Sequence, residues 1–158
     1  MTEAMTTTDL ELTITRVFDA PRELVFEVWT NPDHLAKWWG PTGFTTESCT
    51  VKLEPGGGWR LCIRNSADGS EHWARGTYRE IDRPERLVFS FAWEEPPGVP
   101  GHDTVVTVAF AEHGDKTEMT FHQAVLRSVP ERDGHLAGWQ ETFDELTAYL
   151  RETEWPRS

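Results

Sequence analysis

Apolar and polar residues alternate from Leu10 to Phe18, the period of a half-buried strand. Pro21 then suits the first position of a helix, Leu24, Val25, Val28 and Trp29 recur at helical spacing, and Asn31-Pro32 ends it. A second short helix is expected from Asp33 to Trp38. Gly40-Pro41-Thr42-Gly43 breaks the chain, and from Phe44 to Gln123 the pattern reads as six further strands. Turn residues separate them at Pro55 to Gly58, Asp68-Gly69, Asp82 to Pro84, Pro96 to Gly98 and Gly114-Asp115. Strands joined only by turns form an antiparallel meander, because parallel neighbours need crossovers of about a dozen residues or more. After Gly134 the period changes: Leu136, Trp139, Phe143, Leu146 and Leu150 stand three or four residues apart, an amphipathic helix from Gly134 to near Arg151. At roughly 30 Å it matches the length of a strand and can cover the concave face of a twisted sheet. The predicted fold class is therefore α+β, a curved antiparallel seven-stranded sheet around a long C-terminal helix, with two short helices between strands one and two. Residues 10–153 are expected to form one domain between flexible ends at 1–9 and 154–158.

One hairpin sets which side chains face inward. Read as a two-residue turn, Asp68-Gly69 pairs Trp59 with Tyr78, Leu61 with Gly76 and Ile63 with Ala74. His72 then points inward near the hairpin tip, while Cys62, Arg64, Trp73 and Arg75 point outward. The same counting turns Leu87, Phe89, Phe91 and Trp93 inward, then Val106, Val108 and Phe110, then Met119, Phe121 and Gln123. Loops 65–70, 94–103 and 124–133 fall at one end of such a meander. Together with Trp38-Trp39 and the start of the last helix, they mark the mouth of an internal cavity. Trp38 and Trp39 are adjacent, so one is expected in the core and the other at the entrance.

Composition sharpens this picture. Eight tryptophans in 158 residues supply large apolar rings, each with one donor that needs a partner. The expected cavity wall comprises Trp38, Trp39, Phe44, Trp59, Leu61, Ile63, His72, Tyr78, Phe89, Phe91, Trp93, Val106, Val108, Met119, Phe121, Gln123, Leu136, Trp139, Gln140 and Phe143. Its polar members are His72, Tyr78, Gln123 and Gln140. The six histidines are scattered without ligand spacing, so no metal site is expected. Nucleophile-elbow, P-loop and dinucleotide patterns are absent, so no cofactor is expected. A formal charge of -12 repels nucleic acid and anionic membrane surfaces. The polar, acidic start of the chain points to the cytoplasm, as a monomer or homodimer. Cys49 and Cys62 fall on opposite faces of the sheet and are expected to remain free thiols.

Several segments carry a family resemblance: Arg16-Val-Phe-Asp-Ala-Pro21 running on to Trp29-Thr-Asn-Pro32, then His34-Leu-Ala-Lys-Trp-Trp-Gly-Pro41, Pro55-Gly-Gly-Gly-Trp59, Gly76-Thr-Tyr-Arg-Glu-Ile81 and Pro84-Glu-Arg-Leu-Val-Phe89. In order and spacing they resemble the activator of heat-shock-protein-90 ATPase-like family of the SRPBCC superfamily, with its START or Bet v 1-like helix-grip fold. The resemblance implies an internal cavity and binding of a small hydrophobic or aromatic molecule, in a carrier or sequestering role. Two alternatives stand beside it. A polyketide cyclase or dehydratase would use His72 or Tyr78 as general acid or base. A chaperone-associated stress protein would instead contact its partner through an exposed apolar patch. The activator that names the family carries an additional N-terminal domain, which this chain is expected to lack, and that weakens the case for chaperone contact.

Overall fold

The computed structural model describes residues 10–99 and 101–153, so the expected flexible ends at 1–9 and 154–158 lie outside the described residues. Ten elements follow one another: β1 (Leu12–Phe18), α1 (Arg22–Thr30), α2 (Pro32–Trp38), β2 (Phe44–Val51), β3 (Gly58–Asn65), β4 (Glu71–Asp82), β5 (Arg86–Trp93), β6 (Thr104–His113), β7 (Lys116–Ala124) and α3 (Val129–Glu152). The seven strands form one antiparallel sheet in the order β1-β7-β6-β5-β4-β3-β2. This is the α+β architecture expected from the pattern. Because β1 and β2 are the two edges, α1 and α2 carry the chain from one edge to the other. Among the described residues no helix is long and apolar enough to cross a membrane.

Local chemistry explains where the element boundaries differ from expectation. Pro21 caps α1 from outside instead of occupying its first turn. Asn31 both stops α1 and starts α2, where its side chain accepts the Asp33 N–H at 2.9 Å. The last helix begins at Val129 and not at Gly134. Ser128 accepts the Glu131 N–H at 3.1 Å and Pro130 fits the first turn, so the glycine lies inside the helix.

The β3–β4 hairpin also differs. Trp59 pairs with Gly76, Leu61 with Ala74 and Ile63 with His72. The Asn65 N–H donates to the Ser70 carbonyl at 2.8 Å and closes a loop longer than two residues, in which Gly69 adopts a φ of 76°. Each partner thus moves by two positions, and a shift of two leaves every side chain on its expected face. Trp73 does face outward, where the Arg60 guanidinium covers its ring at 3.9 Å. Cys49 lies opposite Leu61 and Cys62 opposite Trp73, so the thiols face away from each other and are free.

The core centres on Trp29. Its ring lies 4.9 Å from Trp38, 6.0 Å from Trp39 and 6.1 to 6.4 Å from Phe89, Phe110, Phe121 and Phe143. Trp38 and Trp39 are therefore both buried on the same core, contrary to the expected division between core and entrance. The helix ends at Trp38, and the Trp38 and Trp39 rings lie 5.6 Å apart, tilted by 49°.

At Gly76 the backbone of β4 lies against the Trp59 indole and the Ser90 carbonyl, and a Cβ there would collide with both. Gly76→Ala is expected to destabilise the protein by about 2 kcal/mol or more in urea unfolding. Gly58→Ala is the control, because its Cβ would meet only the Gly76 carbonyl oxygen at 3.6 Å.

Candidate functional site

Beyond the reach of Trp29, the sheet and helix separate around a cavity of about 450 Å3. That volume lies within the usual range for a small-molecule site. The aromatic wall includes Trp39, Phe44, Phe91, Trp93 and Trp139, with Ile63 beside them and Trp73 at its margin. The first half of α3 forms the roof, where Gly134 and Gly138 present no side chain. Pro41 and Pro97 stand in the surrounding loops.

The structure brings seven of the expected wall residues together at this cavity: Trp39, Phe44, Ile63, His72, Phe91, Trp93 and Trp139. Trp59, Leu61, Tyr78 and Phe89 instead surround a void of about 10 Å3 that also touches Cys49. Trp38, Val106, Val108, Met119, Phe121 and Phe143 are buried in the packed core around Trp29. Gln123 is buried behind the wall, and Leu136 packs partly buried against the core. Gln140 turns outward on α3, where the Arg16 guanidinium donates to its Oε1 at 2.9 Å. The same arginine pairs with Asp144 at 2.9 Å, so edge strand β1 is tied to the helix by charge.

The two acid–base candidates are separated. Burial raises the pKa of the Tyr78 hydroxyl, and the void beside it is too small for an organic molecule. Burial, with Asp33 nearby, likewise pushes the Cys49 thiol up to about 11 and suppresses the thiolate. His72 is exposed at the cavity edge, its Nε2 3.2 Å from the Ser70 hydroxyl and its ring 5.9 Å from Phe44.

A polar chain runs behind the aromatic wall. The Trp139 indole donates to Gln123 Oε1 at 2.9 Å, and His135 Nδ1 meets the same oxygen at 3.0 Å. Gln123 Nε2 donates to Thr104 at 2.8 Å, and the Thr104 hydroxyl donates to the Phe91 carbonyl at 2.8 Å. His135 lines the cavity but is absent from the expected wall, because a helix starting only at Gly134 puts His135 at its frayed end. Its signal is positional: His135, Trp139 and Phe143 succeed one another at intervals of four on one helix stripe.

Glu94 holds the rim loop after β5. Its side chain is fully buried and accepts from Arg60 at 2.6 and 2.8 Å and from the Gly98 N–H at 2.7 Å. The hydrogen-bonded guanidinium outweighs burial and, with the Gly98 N–H, holds this carboxyl at about 2.

With this geometry established, comparison with known proteins gives one family. The model described as "Activator of Hsp90 ATPase homolog 1-like protein" matches residues 19–151. Among solved structures, a protein from Chromobacterium violaceum is 27% identical with a TM-score of 0.79, over 92% of this chain and 99% of that one. An AHSA1 protein from Silicibacter pomeroyi is 21% identical with a TM-score of 0.80, over 89% and 97% respectively. A protein from Arthrobacter aurescens is 22% identical with a TM-score of 0.83, over 94% and 90%. At these identities the last two speak for the fold alone. No curated protein sequence matches the chain.

The depressed Glu94 pKa sets a pH dependence. A carboxyl that releases its proton more readily when folded contributes stability above its ordinary value of 4.5, and that contribution fades as pH falls toward about 2. Glu94→Gln is expected to lower the Tm by several degrees at neutral pH, and the gap to wild type should narrow below pH 4.5 in thermal scans. A gap that stays constant from neutral to acid pH contradicts this assignment.

Proposed function

The chain belongs to the family of Activator of Hsp90 ATPase homolog 1-like proteins, and from that premise we propose that it binds a small hydrophobic, aromatic molecule beneath α3, in a carrier or sequestering role. The supporting observation is the cavity of about 450 Å3 walled by Trp39, Phe44, Phe91, Trp93 and Trp139. A ligand the size of an aromatic side chain hides about 150–250 Å2 of surface. At about 25 cal/mol per Å2, that gives roughly 4–6 kcal/mol before association costs. A single neutral hydrogen bond contributes about 1 kcal/mol. Apolar contact therefore supplies most of the affinity, and the few polar groups orient the occupant. This role needs no catalytic side chain.

Native mass spectrometry of protein purified from its own host is expected to show a discrete retained small molecule. Trp93→Ala removes a half-buried wall ring without opening the Trp29 core, and is expected to weaken rebinding about tenfold. Trp59→Ala acts chiefly on stability, since Trp59 belongs to the packed core. Absence of any retained mass, together with no saturable tryptophan quenching by naphthol, overturns the proposal.

A further inference from the structure

Resting on that binding reading, we infer that His135 makes the cavity selective for neutral aromatic molecules bearing a hydroxyl group, by accepting the hydroxyl hydrogen at Nε2. The argument begins at the two ends of the polar chain. An indole N–H only donates, so the Gln123 atom 2.9 Å from Trp139 must be Oε1. A carbonyl only accepts, so Thr104 donates to Phe91 and receives the Gln123 amide hydrogen on its own oxygen. Both ends of the Gln123 amide are thereby fixed. Oε1 has no hydrogen to give, so at the 3.0 Å contact the proton belongs to His135 Nδ1. In a neutral imidazole the other nitrogen is then an acceptor.

That acceptor has no hydrogen-bond partner among the described residues, and His135 lines the cavity. Burial lowers the ring's pKa, while Glu131 and Arg127, paired with each other at 3.3 Å, act on it in opposite directions. The imidazole is therefore neutral at neutral pH, and Nε2 keeps its lone pair. The charged residues lining the cavity are Glu71, Glu94 and Glu95, with no lysine or arginine among them. A carboxylate ligand would find no counter-ion there. A hydroxyl on a flat ring meets an aromatic wall and one acceptor, since Phe91 lies edge-on to His135 at 5.9 Å and Trp139 stands one helical turn further along.

Three probes of one shape test this: naphthol, its methyl ether and naphthoate, measured by calorimetry at neutral pH. Naphthol is expected to bind about fivefold to tenfold more tightly than the ether, the worth of one neutral hydrogen bond. Naphthoate is expected to bind most weakly. His135→Phe should bring naphthol and ether to the same affinity, whatever change the two share. Should that variant not fold, long-range proton–nitrogen correlation spectra of the wild type read the tautomer directly, with Nε2 expected as the unprotonated nitrogen. Equal affinity for naphthol and ether in the wild type overturns the inference. So does a preference that survives His135→Phe, or a proton on Nε2. If no probe binds at all, the selectivity is overturned, and together with absence of any retained mass that result overturns the cavity reading as well.

Discussion

A straight helix and a curled sheet cannot touch along their whole length, and the Trp29 indole fills the gap at one end only. From α1 it enters a cluster with Trp38, Trp39 and four phenylalanines. Among the described residues, the indole nitrogens of Trp29 and Trp59 are buried without a hydrogen-bond partner. Each such donor costs about 1–3 kcal/mol, a cost tolerated because ring packing at that end outweighs it. At the other end the Trp93 and Trp139 indoles stand in the cavity wall and leave its space open. The division between solid and hollow halves follows from where α1 places a single side chain.

The hollow half is held open by directional interactions. Gln123 sits fully buried in β7 with its amide oxygen shared by Trp139 and His135 and its nitrogen engaged by Thr104, so helix and sheet are fastened across the cavity's inner wall. At the rim, the buried Glu94 gathers Arg60 and the Gly98 amide, anchoring the loop after β5 to β3. Hydrogen bonds of fixed geometry resist collapse in a way that apolar contacts do not, because closing the space would break them.

Much of this was legible in the order of residues, and the failures have physical causes. Period-two and period-four patterns identified the strands and the last helix, because burial on one face of each forces those periods. The Asp68-Gly69 pairing was wrong by two, yet inward residues stayed inward, since face depends on parity and not on register. Packing was less legible. Nothing local separates Phe121, sealed in the core, from Phe91, at the cavity wall, as both alternate correctly on strands that flank β6. The difference lies in what stands opposite, and that is set by Trp29 from a distant helix. His135 escaped for a related reason: a polar residue on an apolar stripe acquires meaning only when its partner, Gln123, is known.

The roof helix also has two characters. Near its C-terminus, Phe143, Leu146 and Leu150 lock it into the core. Near its start, Gly134 and Gly138 lie where an added Cβ would meet nothing within 4 Å. Glycine weakens a helix interior by about 1 kcal/mol relative to alanine, and here no neighbouring atom requires it. Apart from the Ser128 cap and the bonds of His135 and Trp139 to Gln123, the first turns thus resist fraying less than the apolar remainder. Breathing of that segment would open the cavity without global unfolding, a route for the proposed ligand on the timescale of local motion.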